Sequence, residues 1–231
     1  MINRNKISAA ILAGGESRRF EGVDKGFILF AGKPMVLHAI ERVGPQTGAM
    51  MLSCNRNLPN YQQALFNYHE KTGLNDNPTA VAPLCLEDSS ETKFTGPLAG
   101  IHRCLQQCYS DYLFICPCDV PLIPLDIVQR LAREMQQNDY QAVYPASEGR
   151  SHPLILLVQA NIARNTLNEL LNTANHVTKN GRQSGYSVKE WLALIRCGVL
   201  KTDNSIAFTN LNSEIELKEA ESRVFWNKDC D

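Results

Sequence analysis

Two glycines, two arginines and a lysine crowd into one stretch, Leu12-Ala13-Gly14-Gly15-Glu16-Ser17-Arg18-Arg19, followed by Asp24-Lys25-Gly26. These residue types suit a polyphosphate. Paired glycines let backbone N–H groups turn in around a phosphate with no Cβ in the way. Arg18, Arg19 and Lys25 add cations of two shapes, a planar fork and a point charge, which suit different phosphate oxygens. At ~4 Å each cation contributes about 1 kcal/mol in water and several times that in a shielded cleft. The Gly-Lys-Ser/Thr ending of a P-loop is absent, as is GxGxxG. The same residues also suit a plain chain reversal with its charges in solvent.

A second group is Pro117-Cys118-Asp119-Val120-Pro121. A carboxylate at the end of a buried strand is a seat for magnesium, which prefers hard oxygen ligands and shares its shell with water and substrate phosphates. Flanking prolines stiffen the backbone that aims it. The alternative use of Asp119 is to cap the helix that follows, and Asp88, also at a predicted strand end, invites the same two readings. The histidines, His38, His69, His102, His152 and His176, show no ligand spacing; His152, before Pro153, leaves open a role at a substrate mouth. The eight cysteines form no CxxC pair and read as reduced core thiols.

The elements that must carry these groups alternate. Apolar runs at Ile7 to Leu12, Met50 to Ser53, Val81 to Leu86, Tyr112 to Cys116, Ala142 to Tyr144, Leu154 to Val158 and Ile206 to Thr209 predict strands. Between them, Val36, Ile40 and Val43 predict a helix face beginning near Pro34, and Gly96 opens a helix to about Tyr109. Val128, Leu131, Ala132 and Met135 predict an amphipathic helix, Asn161 a capped one, and a short helix is expected near Trp191 and a last one around Glu214 to Arg223. Residues 55–78, rich in Asn and Pro, read mainly as loop, as does Thr173 to Ser187. This alternation predicts a single α/β domain over residues 1–231, Rossmann-like, with three α/β/α layers and a mostly parallel sheet. Ligands then collect beyond the carboxyl ends of the strands, where the motifs after Leu12, Leu86 and Cys116 fall.

Composition bounds the partners. Net charge is −1, so no global field draws nucleic acid or an anionic membrane, and bound anions must be held by local charge. No apolar run approaches the ~20 residues of a bilayer span. A cytoplasmic protein that acts as a monomer is expected.

Taken in order, LAGG at Leu12 to Gly15, Arg18-Arg19, GVDKG at Gly22 to Gly26 and GKP at Gly32 to Pro34 resemble the molybdenum cofactor guanylyltransferases, among the Rossmann-like nucleotidyltransferases. Pro45-Gln46, Asn55-Arg56, EDS at Glu87 to Ser89, GPLAG at Gly96 to Gly100, PCDVP, HPL at His152 to Leu154 and TNLNS at Thr209 to Ser213 continue the series over most of the chain. The resemblance implies transfer of GMP from GTP to a molybdopterin-type cofactor, giving the guanine dinucleotide form and pyrophosphate. It implies GTP contacts at Leu12, Ala13, Gly14, Lys25, Asp88 and Asp119, with Asp119 also binding Mg²⁺; Gly15 and Asn55 complete the expected nucleotide set. Lys25, Asp119 and Arg19 are expected to carry the chemistry, the cations steadying pyrophosphate as an already ionised acceptor phosphate attacks in line. Proteins that supply or receive the cofactor are candidate partners. Where the family usually has asparagine this chain has Ser53, and the segments from Asn55 to Glu87 and Asn172 to Ser187 are longer. A cytidylyltransferase of the same cofactor, a sugar-phosphate nucleotidyltransferase and a non-catalytic GTP- or cofactor-binding protein are the alternatives.

Overall fold

Strand β1 (Ile7–Leu12) is apolar apart from Ser8, whose buried hydroxyl meets that of Ser110 at 2.8 Å, because both of its faces are covered. Ile7, Ala9 and Ile11 pack into one core and Ala10 into a second. The computed structural model describes residues 2–13, 23–72, 84–87, 96–172 and 186–226. Beyond β1, the hairpin strands β2 (Leu29–Phe30) and β3 (Lys33–Pro34) lead to α1 (Met35–Val43), then β4 (Ala49–Ser53), α2 (Leu58–Thr72) and β5 (Leu84–Leu86). Next come α3 (Pro97–Gln107), β6 (Tyr112–Pro117), α4 (Ile127–Gln137), β7 (Ala142–Ser147), β8 (Arg150–Ser151) and β9 (Leu156–Gln159). The described chain closes with α5 (Ala160–Asn172), α6 (Val188–Leu192), β10 (Cys197–Thr202) and α7 (Glu214–Trp226).

The main sheet runs β10-β7-β9-β6-β1-β4-β5, with β8 added on β7. Its long strands are parallel except β9, which is antiparallel to β6 and β7. Helices α1, α2 and α4 cover one face through residues such as Ile40, Leu65 and Leu131. Helices α3, α5 and α6 cover the other through Leu98, Leu167 and Trp191, which makes three α/β/α layers. Burying each such leucine contributes roughly 1.5–3 kcal/mol. The Trp191 indole N–H is satisfied by the Thr166 hydroxyl at 2.9 Å, and Ser187 with Glu190 closes a capping box on α6. No described helix is long and apolar enough to cross a membrane.

Three expectations are corrected. Residues 58–72, read as loop, are α2: Leu58, Tyr61, Leu65, Tyr68 and Thr72 recur at helical spacing, and Tyr61, Leu65 and Tyr68 are buried on its inner side. The strand expected at Ile206 to Thr209 is a single helical turn, Ile206–Phe208, started by Asn204, whose side chain accepts the Ala207 N–H at 3.1 Å. The strand in that region is β10, half exposed at the sheet edge; its Gly198 leaves room for the Tyr140 ring, which would stand 2.2 Å from a Cβ. Asn161 lies inside the first turn of α5 and accepts from Arg164 at 2.9 Å; it does not precede the helix as its cap.

Candidate active site

Register brings four strand ends level. Leu12 of β1 pairs with Pro117 of β6 and Ser53 of β4, and Ser53 pairs with Leu86 of β5. The ladder continues one residue further, with Ala13 N–H on the Ser53 carbonyl (2.7 Å), Cys118 N–H on Leu12 (3.0 Å) and Cys54 N–H on Leu86 (2.8 Å). The chains then part, so the next side chains, Asp119 and Asn55 among them, project from a rigid edge. A cleft of about 510 Å³ opens there, lined by Leu12, Ala13, Lys25, Ser53, Asn55 and Asp119, with Gly96, Gly100 and Asn210.

Asp119 is only 6% exposed, and its charge is compensated. The Lys25 ammonium donates to its carboxylate and to the Asn212 side-chain oxygen, while the Asn210 amide donates to both Asp119 oxygens at 3.2 and 3.4 Å. Leu211 between the two asparagines is buried and returns its N–H to the Asp119 carbonyl at 3.0 Å. One apolar anchor therefore directs both flanking amides at the same ion pair. Asp119 does not cap the next helix: Asp126 occupies that position at α4. Burial, and then the Asp119 charge, push the Cys116 and Cys118 thiols above the ordinary range, so both stay protonated beside the site.

Of the residues expected from sequence, the structure gathers Leu12, Ala13, Lys25, Asn55 and Asp119 into one cleft. Gly14, Gly15, Arg18, Arg19 and Asp88 lie outside the described residues. His152 is engaged elsewhere, with the Ser147 hydroxyl at 3.0 Å and the Phe208 ring at 5.3 Å; its neighbour Leu154 lines the cleft. Asn210 and Asn212 had no role assigned from sequence. Their signal was present in TNLNS, two amides separated by one buried leucine. Gly96 opens α3 at φ +64°, and Gly100 comes so near Ser53 that a Cβ would stand 2.4 Å from its hydroxyl oxygen. The GPLAG motif thus brings the α3 backbone against the cleft wall.

Residues 9–184 match the model of the MobA-like NTP transferase domain. The chain belongs to the MobA-like NTP transferase family. Two similar members of known name are molybdenum cofactor guanylyltransferases. That of Polynucleobacter asymbioticus is 32% identical, the match covering 97% of this chain and 100% of the relative. That of Bordetella petrii is 34% identical, over 95% and 99%. Among solved structures, molybdopterin-guanine dinucleotide biosynthesis protein A from Archaeoglobus fulgidus superposes with a TM-score of 0.63 at 20% identity, covering 95% of this chain and 99% of that one. The 4-diphosphocytidyl-2C-methyl-D-erythritol synthase of Anaerococcus prevotii gives 0.68 at 10% identity, over 96% of each chain, and shares the fold. The resemblance, fold and nucleotidyltransferase class expected from the sequence are borne out by this membership of the MobA-like family.

Proposed function

We propose that this chain transfers GMP from GTP to the molybdopterin form of the molybdenum cofactor, releasing pyrophosphate. The observation that carries the reading is the meeting of Lys25, Asp119 and Asn210 on the wall of a nucleotide-sized cleft at the carboxyl edge of the sheet, with Asn212 accepting from Lys25 beside them. Relatives that align over their whole length bear the same activity in their names. The reading extends to a protein that acts as a monomer in the cytoplasm.

The donor set fits magnesium. Asp119 offers one nearly buried carboxylate on the cleft wall that already faces a cation. That is the habit of Mg²⁺, which takes one or two carboxylates and fills its shell with water and phosphate. When bound at Asp119, the ion would supply Lewis-acid polarisation of the α-phosphate. Lys25, whose ammonium sits at Asp119 on the cleft wall, would neutralise charge on the phosphates as pyrophosphate departs. Leu12 and Ala13 at the end of β1 line the cleft, and the sequence adds Gly14 and Gly15 as expected nucleotide contacts, Arg19 as a second cation, and Asn55 and Asp88 as polar contacts. The acceptor is an ionised phosphate, so the residues need only position and neutralise, and no protein base takes a proton.

Pyrophosphate release with molybdopterin-form cofactor and magnesium, compared across GTP, CTP, ATP and UTP, tests the reading. GTP-selective release is the expected result. Selectivity for CTP transfers the reading to a cytidylyltransferase, and no release with any triphosphate refutes transfer.

A further inference from the structure

Asp24 precedes Lys25, and its carboxylate is filled by three donors. Gly26 N–H and the Tyr61 hydroxyl both reach one oxygen, at 3.2 and 2.6 Å, and the Asn57 amide reaches the other at 3.0 Å. Tyr61 lies in the first turns of α2, fully buried, with its ring 4.7 Å from that of Phe27. Its phenol edge also occupies the space beside Gly26, where a Cβ would stand 2.3 Å from the hydroxyl oxygen. The residues on both sides of Lys25 are therefore fastened to one tyrosine, and the lysine between them projects to Asp119.

We propose that Tyr61 is a positioning residue for nucleotidyl transfer: by donating to Asp24 it fixes the short turn that aims Lys25 at the triphosphate. The role rests on the nucleotidyl-transfer reading of the cleft. Held by three donors, Asp24 acts as an anchor for the turn; the carboxylate that lines the cleft is Asp119. Burial, then Cys118 and Asp24, push the Tyr61 phenol far above its ordinary range, so it remains a donor throughout the working pH range. A side chain that aims a cation changes the rate through that cation alone, whereas one that merely fills space does not depend on it.

The test uses Tyr61→Phe, which keeps the ring against Phe27, and Asn57→Gly, which removes the other side-chain donor at a residue with φ +52° that glycine adopts freely. Magnesium tripolyphosphate binding by calorimetry and GMP transfer are measured for each, with and without Lys25→Ala. Tyr61→Phe is expected to weaken tripolyphosphate binding and lower kcat by roughly tenfold, with the acceptor KM unchanged, and Asn57→Gly by about threefold. In the Lys25→Ala background neither should lower binding further. Wild-type affinity in Tyr61→Phe, or losses that multiply with Lys25→Ala, would overturn the proposal. Tripolyphosphate bound as expected but no GMP transferred would remove the transfer reading and leave Tyr61 only as the residue that aims Lys25 at a polyphosphate; no binding to the wild type would remove both.

Discussion

Lys25 and Asp119 stand 94 positions apart in the chain and form one ion pair at the carboxyl edge of the sheet, each with its side chain largely buried. The pairing makes the two residues exchangeable partners. A divalent ion held by this carboxylate would compete with the ammonium for it, so metal binding and phosphate binding would be linked through one contact.

Asp119→Asn removes the anionic ligand while keeping the volume of the side chain. The magnesium concentration for half-maximal turnover is expected to rise at least roughly tenfold, the loss that even outer partners of metal ligands cause. A magnesium titration of pyrophosphate release measures it; an unchanged midpoint contradicts the assignment.

Gly26→Ala tests the packing behind Lys25. The added Cβ would stand 2.3 Å from the Tyr61 hydroxyl oxygen and 2.9 Å from its ring carbon Cε1, and the ring is fully buried against Phe27. Overpacking of this kind costs about 1–3 kcal/mol, which for a chain of this size lowers Tm by roughly 2–12 °C. Calorimetry reads the shift, and a Tm equal to the wild type would show that the ring yields freely.

How much of this was legible in the chain depended on whether a pattern was local. Strands β1 and β6 were plain because both faces are buried, leaving nearly unbroken apolar runs before Gly14 and Asp119. The run that β10 occupies is a half-exposed edge with a glycine in it, so the neighbouring Ile206 to Phe208, a helical turn, looked more like the strand. Helix α2 hid behind its asparagines and Pro59, although Leu58, Tyr61, Leu65 and Tyr68 kept the helical period. A loop reading of this segment also hides the Asp24–Tyr61 contact, which spans 37 positions. Lys25 and Asp119 were named from their motifs, but the convergence of Asn210 and Asn212 on them is a product of the fold.

Acid should weaken the fold through its histidines. Burial lowers His38, His69, His102 and His152 below the ordinary imidazole value, and His69 leaves its buried Nε2 without a hydrogen-bond partner. The unfolded chain therefore binds more protons as pH falls below about 6.5. This stability is fully present above that value and lost as pH falls through the depressed folded values. Tm is expected to drop between about pH 7 and 5.5, less steeply in His69→Leu; a flat or rising profile contradicts the burial argument.

Thiol chemistry gives a further check. Cys54 is buried and its thiol is raised, first by its contact with Cys85, while the partly exposed Cys85 is lowered by the same contact. Burial pushes Cys197 up to about 11 and Cys108 upward. Brief alkylation of the native protein should mark Cys85 first among the seven described cysteines, read by peptide mass spectrometry. Labelling of Cys54 or Cys197 ahead of Cys85 contradicts that order.

The central claim is that Lys25 and Asp119 act on one triphosphate as a unit, and a double-mutant cycle on GMP transfer tests it most directly. Lys25→Ala and Asp119→Asn should each lower kcat/KM by roughly 10²–10³-fold, and the double variant should fall no more than about threefold below the worse single one. Losses that multiply, or a single variant at wild-type rate with its circular dichroism unchanged, would show that the two residues do not share a substrate.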